Sequence, residues 1–323
     1  MNHLIFGGSG FLGSHLLKYI RDNHKNEQVY SYDIQGKVIN SFIDLDVRET
    51  INIDIPDLSN SVIYNLAAVH TTPGHPDHEY FETNIYGAER ICDFATRAKI
   101  NTIVFTSSIA PYGPSEVLKE ESTLPMPNTP YGISKLTAEY IFKAWQSADP
   151  VNRKVFIVRP GVIYGKNEGG NFSRLYNSLK LGFFFYPGRR DTIKACVYVK
   201  DVVRILYNAG QNELPGTVTY NLTYNPAPTI EQICEAMAKV TGVKPPRVLV
   251  PGLALISAAG TMYYGARAIG KNISGIHPDR VKKLMISTNI SGEKLEESSY
   301  KLSYNLLDSI TDWFAENQKK GLY

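Results

Sequence analysis

The chain has 323 residues, 34 of them basic and 31 acidic, which is enough to bury one large core or a large domain with a smaller lobe. The near-balance of charge excludes a protein built to bind nucleic acid or an acidic partner. Three scattered cysteines, Cys92, Cys196 and Cys234, form neither a disulfide framework nor a metal cluster and suit a reducing cytoplasm.

His3-Leu4-Ile5-Phe6 reads as a strand, with no signal peptide expected ahead of it. It enters the turn Gly7-Gly8-Ser9-Gly10-Phe11-Leu12-Gly13, and Leu12, Leu16, Leu17 and Ile20 mark an amphipathic helix leaving it. Glycines at 7, 10 and 13 let the backbone turn sharply, admit a pyrophosphate and bring helix and sheet close. The helix N-terminus offers that pyrophosphate free N–H groups and a positive dipole end. Asp33 closes the next apolar run, 29–33. Strand, glycine turn, helix and an acid about twenty residues on make a dinucleotide fingerprint; a purely structural turn is the plainer alternative.

Gly36-Lys37 reads as a turn and 38–43 as a short third strand leading to Asp46-Val47. The apolar run 61–68 ends in small residues, which let a flat ligand approach the C-terminal end of a strand. Periodicity predicts a helix over about 84–98, with Ile85, Ala88, Ile91, Cys92 and Ala95 on one face, and a buried strand at 102–106 running into Ser107-Ser108. A polar loop follows to Pro130, then a helix from Tyr131 with Leu136, Tyr140, Ile141, Ala144 and Trp145 as its stripe, and a strand at 155–160. This alternation predicts a doubly wound parallel α/β sheet. Residues 167–191 read as a substrate loop, 197–203 as a return to the sheet, 217–221 as a further strand, and the chain from about 226 as helical. The apolar stretch 248–269 is broken by Pro251, Gly252, Gly260, Gly265 and Arg267, and predicts a buried or cleft-covering helix in preference to a peripheral membrane contact.

Tyr131 and Lys135, four apart at a helix start, share one face. A neighbouring ammonium favours a phenolate and moves a tyrosine towards the working range of a base. Ser107-Ser108 at a strand end can hold a substrate oxygen beside it. A solvated Tyr–Lys pair is the alternative. His70, His75 and His78 lie in a proline- and glycine-marked loop whose spacings fit no zinc pattern. Solvation and substrate contact both fit that loop, and no metal is expected. Arg189-Arg190 read as phosphate partners or a solvated turn, and Arg280 as a diphosphate contact or an exposed helix start.

GGSGFLG at 7–13, Asp33, DV at 46–47, NLAA at 65–68, Asn84, TSSIAPYG at 106–113, PYGISK at 130–135 and RPGVIYG at 159–165 carry a resemblance over nearly the whole chain. The sequence resembles the extended short-chain dehydrogenase/reductases, specifically the NAD-dependent epimerase/dehydratase group that acts on sugar nucleotides. The resemblance implies a Rossmann domain over 1–165 and about 192–224, and a smaller, mostly helical C-terminal substrate lobe over about 166–191 and 225–323. It implies NAD bound by Gly7, Gly10, Phe11, Leu12, Gly13, Asp33, Asp46, Val47, Leu66, Ala67 and Ala68, with Lys135 on the nicotinamide ribose. Asp33 on the adenosine ribose favours NAD over NADP, and Lys37 weakens that preference slightly. Ser108 matches the family's catalytic Ser/Thr better than Ser107, and Tyr131 is the implied acid/base. His70, Asn84, Ser108, Asn171, Lys194 and Arg280 are the implied substrate contacts, Asn84 also ordering the strand ends. Lys194 stands where an arginine is usual, keeping the charge without the fork.

Two departures narrow the reaction. Dehydratases of the group carry an Asp-Glu pair where this chain has Ile109 and Ala110, so dehydration is disfavoured; Val162 replaces an asparagine usual in galactose-type 4-epimerases. The segment 164–182 looks more like enzymes of bacterial surface-polysaccharide (lipopolysaccharide) biosynthesis, among them N-acetylhexosamine 4-epimerases, some acting on lipid-linked sugars, and 4-keto-sugar reductases. The expectation is a cytoplasmic C4 epimerase of a nucleotide-linked sugar, a UDP-sugar foremost, or of a lipid-diphosphate-linked one. It would dimerise through the helices from Asn84 and Tyr131 as a four-helix bundle. A 4-keto-sugar reductase, and a nucleotide-binding regulator without chemistry, are the alternatives.

Overall fold

The computed structural model describes residues 1–35, 42–71, 74–212, 215–268 and 285–323. Seven strands form the main sheet: β1 (Asn2–Phe6), β2 (Gln28–Asp33), β3 (Ile43–Asp44), β4 (Ser61–Asn65), β5 (Thr102–Thr106), β7 (Lys154–Pro160) and β11 (Gly216–Leu222). Their order is β11-β7-β5-β4-β1-β2-β3, and every pairing is parallel. The order reverses between β1 and β4, which in an open α/β sheet is the crevice that receives ligands at the strands' C-terminal ends. The fold is Rossmann-like.

Side chains alternate across these strands, and the two faces bury separate cores. Ile5, Val62, Tyr64 and Val104 point to α1 (Phe11–Asn23) and to the helix Val199–Gly210. Leu4, Phe6, Ile63, Ile103 and Phe105 point instead to the helices Gly87–Arg97 and Pro130–Ser147. Trp313 and Ile310, from the last helix Leu306–Glu316, belong to the first of these cores.

Short parallel pairs extend the site end of the molecule. β6 (Ser115–Lys119) pairs with β13 (Thr288–Ile290), β8 (Val162–Tyr164) with β10 (Cys196–Tyr198), and β9 (Tyr186–Pro187) with β12 (Leu249–Val250).

Several expectations are corrected. The expected third strand, 38–43, falls largely outside the described residues, and β3 begins only at Ile43. The helix expected from Asn84 starts earlier, as α2 (Asp77–Phe81), and passes through a π-turn at Glu82–Tyr86 into α3 (Gly87–Arg97), so Asn84 lies inside it. The polar loop before Pro130 contains β6, a strand set by a partner far along the chain. On α4 (Pro130–Ser147) the buried face is Ser134, Lys135, Ala138, Glu139, Phe142 and Trp145, while Tyr140 and Ala144 of the expected stripe are exposed. Polar residues took that face because a buried network claims them. The expected substrate loop is ordered as α5 (Asn171–Lys180) followed by β9, with Phe172, Tyr176 and Leu179 in the core. The apolar stretch forms a helix over Gly252–Ala268 that buries Ala259 and Ala266 yet leaves Leu253, Met262 and Tyr264 exposed.

Candidate active site

The glycine turn follows β1 at the reversal of strand order. Gly7 has φ +80°, and a Cβ there would stand 2.7 Å from the Ala67 nitrogen, so no side chain fits where this turn meets the end of β4. A Cβ at Gly13 would lie 2.3 Å from the Gly7 carbonyl oxygen, which explains the helix packing so tightly on the turn. Gly10 caps α1 without a side-chain hydrogen bond, leaving the first-turn N–H groups uncapped by any side chain. That is the donor set a pyrophosphate requires. Asp33 ends β2 beside the turn: its Oδ2 accepts from Ser9 N (3.0 Å) and Ser9 Oγ (2.6 Å), and its Oδ1 from Ile34 N (2.9 Å). Asp46 is fixed by Arg48, whose Nε and Nη2 reach its carboxylate at 2.9 and 2.6 Å and hold it below the usual carboxylate range. Val47 is buried against Gly87. Leu66, Ala67 and Ala68 leave β4 half-buried. Among the described residues, Asn65 Oδ1 and Thr106 Oγ1, at the ends of β4 and β5, are buried without a hydrogen-bond partner, as happens where a ligand supplies it. These features fit a dinucleotide.

Across the strand ends, α4 opens on Pro130 with Thr129 as N-cap, its Oγ1 accepting from Gly132 N at 3.1 Å. That start places Tyr131 beside Ser108, close enough for the serine hydroxyl to act on the phenol. Burial pushes the Tyr131 hydroxyl up to about 12, with the Ser108 hydroxyl acting against it. The sequence expectation that Lys135 pulls this tyrosine down has no counterpart in this arrangement. Lys135 is buried, donates to the Thr106 carbonyl oxygen at 2.9 Å and stands 4.8 Å from the Phe105 ring centroid. Desolvation drives it down to about 7, and the Glu139 carboxylate opposes that.

Behind Ser108 lies a network absent from the sequence reading. Glu139 Oε1 accepts from Ser107 Oγ (2.6 Å) and Arg159 Nε (2.8 Å), while Oε2 accepts from Arg159 Nη2 (2.5 Å). Arg159 Nη1 donates to Tyr112 Oη (2.6 Å), which donates to Asn221 Oδ1 (2.9 Å). All five residues are buried. Two signals in the sequence point to it: Glu139 lies one turn beyond Lys135, and Arg159 is a charge inside an apolar strand.

The other expected residues separate. Asn84 is buried, with Oδ1 accepting from Val69 N (3.1 Å) and Nδ2 donating to Ser134 Oγ (2.8 Å), so its amide ties the loop after β4 to α4. His70 is exposed on that loop. His75 Nδ1 pairs with Glu79 at 2.7 Å, and no metal-binding group is found among the described residues. Asn171 is the exposed first residue of α5. Lys194 donates to the Ile286 carbonyl at 2.8 Å, and burial lowers it to about 8. Arg189 pairs with Glu116 (2.7 Å) and Arg190 with Glu231 (3.2 Å), so both expected phosphate partners are engaged by acids. Lys37 and Arg280 lie outside the described residues.

A parallel sheet with a glycine turn at its switch point and a Tyr-x-x-x-Lys helix across the crevice defines a Rossmann-like oxidoreductase-type site. The chain belongs to the NAD dependent epimerase/dehydratase family, whose model matches residues 3–223. A curated relative, the N-acetyl-alpha-D-glucosaminyl-diphospho-ditrans,octacis-undecaprenol 4-epimerase of Escherichia coli O157:H7, is 26% identical over 314 residues, spanning 96% of this chain and 93% of its own. The fold is shared with the UDP-N-acetylglucosamine 4-epimerase from Bacillus cereus (TM-score 0.73, 19% identity, 98% of this chain and 99% of that one). It is shared equally with MoeE5 in complex with UDP-glucuronic acid and NAD (TM-score 0.73, 20% identity, 98% and 100%).

Proposed function

We propose that the protein is an NAD-dependent 4-epimerase of a hexose or N-acetylhexosamine carried on a diphosphate, whether nucleotide- or lipid-linked. The observation that carries this reading is the placement of Tyr131 beside Ser108, with Lys135 a turn away and no acid at Ile109 or Ala110. The glycine turn would hold the pyrophosphate, Asp33 the adenosine ribose, Asp46 and Val47 the adenine edge, and Lys135 the nicotinamide ribose. The chemistry supplied by bound NAD is reversible hydride acceptance at sugar C4. Ser108 Oγ holds the substrate O4 against Tyr131, and Tyr131 Oη takes the O4 proton and later returns it. The exchange requires the Tyr131 phenolate, which the positive charge of a bound nicotinamide would favour. Ile109 lies in a small apolar cluster with Tyr112 and Ala195, and neither it nor Ala110 can move a proton from C5, which supports epimerisation over dehydration.

The full-length relation to an epimerase of a diphospho-undecaprenol sugar supports a lipid-carried substrate. The proposed division assigns 1–165 and about 192–224 to the cofactor, and the remainder, with Asn171, Lys194 and Arg280, to the substrate. Tyr86, Ile133 and Tyr140, exposed on the π-turn and α4, support a homodimer through a four-helix bundle.

The decisive experiment offers the purified protein UDP-hexoses, UDP-N-acetylhexosamines and their lipid-diphosphate counterparts without reductant. The expected outcome is equilibration of C4 epimers, read by NMR. Stoichiometric consumption of added NAD(P)H with a 4-keto sugar, and no epimerisation, would overturn the reading in favour of a reductase.

A further inference from the structure

The helix Gly252–Ala268, here α8, breaks a packing rule. A helix apolar all round is normally buried, yet among the described side chains of α8 only Ala259 and Ala266 are buried, while Leu253 is 82% exposed and Tyr264 64%. From Val248 to Ala266 no residue is charged. The β9–β12 pairing sets a second apolar group beside the start of this helix. Tyr186 N donates to the Val248 carbonyl at 2.9 Å and Gly188 N to that of Val250 at 2.9 Å. Tyr186 turns inward and is buried, so Phe183 (75% exposed), Phe185, Val248 and Leu249 are left on the outside. A Cβ at Gly252 would stand 2.5 Å from the Met285 sulfur, so the helix start is held on the segment leading into β13.

The segments that form this surface carry charges of one sign, while Glu231, paired with Arg190, and Glu235 lie beside Tyr186 on the neighbouring helix. Between residues 169 and 190, and between 243 and 268, no residue is acidic, although the whole chain is nearly balanced. Lys180, Lys244, Arg247 and Arg267 are exposed along it. No helix among the described residues is long and apolar enough to cross a membrane. Exposed large apolar side chains with a basic rim and no spanning segment are the composition of an interfacial surface that lies on anionic lipid.

We propose that the surface formed by α8, the 181–185 segment and the β9–β12 pair docks on an anionic lipid bilayer. The surface adjoins the site: Met285 packs at Gly252, Ile286 accepts from Lys194, and Ser287 accepts from Ser115 at the start of β6. Docking therefore sets the substrate side of the crevice near the headgroups, where a lipid-carried diphosphate sugar resides. That use of the docked state rests on the epimerase reading; the docking itself rests on the surface alone.

The test is flotation of the full chain with vesicles of phosphatidylethanolamine and phosphatidylglycerol, against phosphatidylcholine vesicles as the neutral control. The wild type is expected to float with the anionic vesicles and not with the neutral ones, and to be released as salt rises. The double variant Phe183→Glu/Leu253→Glu is expected to bind the anionic vesicles about tenfold more weakly or worse, with unchanged thermal unfolding and unchanged epimerisation of a water-soluble diphosphate sugar. A wild type that stays at the bottom, or a variant that floats equally, overturns the proposal. So does a variant that merely splits a dimer in sedimentation, which would make this face a contact between copies. Failure of the epimerase reading appears separately, in the vesicle-free assay of the soluble sugar.

Discussion

Tyr131 and Lys135 are held in electrostatic tension by their own burial. A tyrosine pushed up to about 12 is protonated at neutral pH, and a lysine pushed down to about 7 is half-charged there. Tyr131→Phe removes the group proposed to move the proton, and kcat is expected to fall about 10²- to 10⁴-fold with NAD affinity retained, measured by steady-state kinetics and calorimetric titration. Lys135 in the unfolded chain titrates near about 10.4. The folded state therefore carries its full desolvation penalty below pH 7, and the penalty is relieved as pH rises towards 10. Lys135→Met keeps the apolar stem and deletes the charge. It is expected to raise cofactor-free stability at pH 6 by about 1–2 kcal/mol while abolishing turnover, with the stability gain fading above pH 9. Denaturant titrations at the two pH values measure this. Glu139→Ala acts in the opposite sense, leaving Arg159 buried without its carboxylate, and is expected to cost about 3–5 kcal/mol.

At the scale of elements, the glycine turn is the clearest test of backbone fit. Gly13→Ala sets a Cβ against the Gly7 carbonyl, so the turn must open, and NAD affinity is expected to fall about tenfold or more, read by cofactor fluorescence titration. This turn, β1, β5 and the start of α4 were legible in the sequence because each is decided locally, by apolar run, glycine spacing or N-cap. β6 was not, because its ladder is supplied by residues 288–290 and its own composition reads as loop. The stripe of α4 was misread for a related reason. Apolar periodicity assumes that the core is apolar, and here the buried face carries Lys135 and Glu139. The π-turn at Glu82–Tyr86 has no compositional mark either; its use is visible only in Asn84, which it delivers to Val69 and Ser134.

For the whole molecule, acid sensitivity follows from histidines buried in their neutral form. Desolvation, opposed by Glu27, holds His3 below its ordinary value; its ring bonds Tyr64 at 3.1 Å and Glu27 at 3.0 Å. His15, bonded to the Lys166 carbonyl at 2.8 Å, is lowered in the same way. In the unfolded chain both gain protons near pH 6.5 that the folded state refuses, so stability is expected to fall as pH drops through about 6.5 with a slope of up to about two protons. Denaturation midpoints from pH 7.5 to 5 measure that slope, and His3→Asn is expected to flatten it.

The pairing of β6 with β13 also imposes an order on synthesis. All seven strands of the main sheet have been made once Leu222 leaves the ribosome, whereas the partner of β6 and the helix carrying Trp313 come only at the end of the chain. At about 5–20 residues per second, a nascent chain spends several seconds with its cofactor turn complete and one face of its sheet still lacking that closing tryptophan. During that interval the growing polypeptide is most exposed to chaperones and proteases, and a ligand seated early in the glycine turn would shield it.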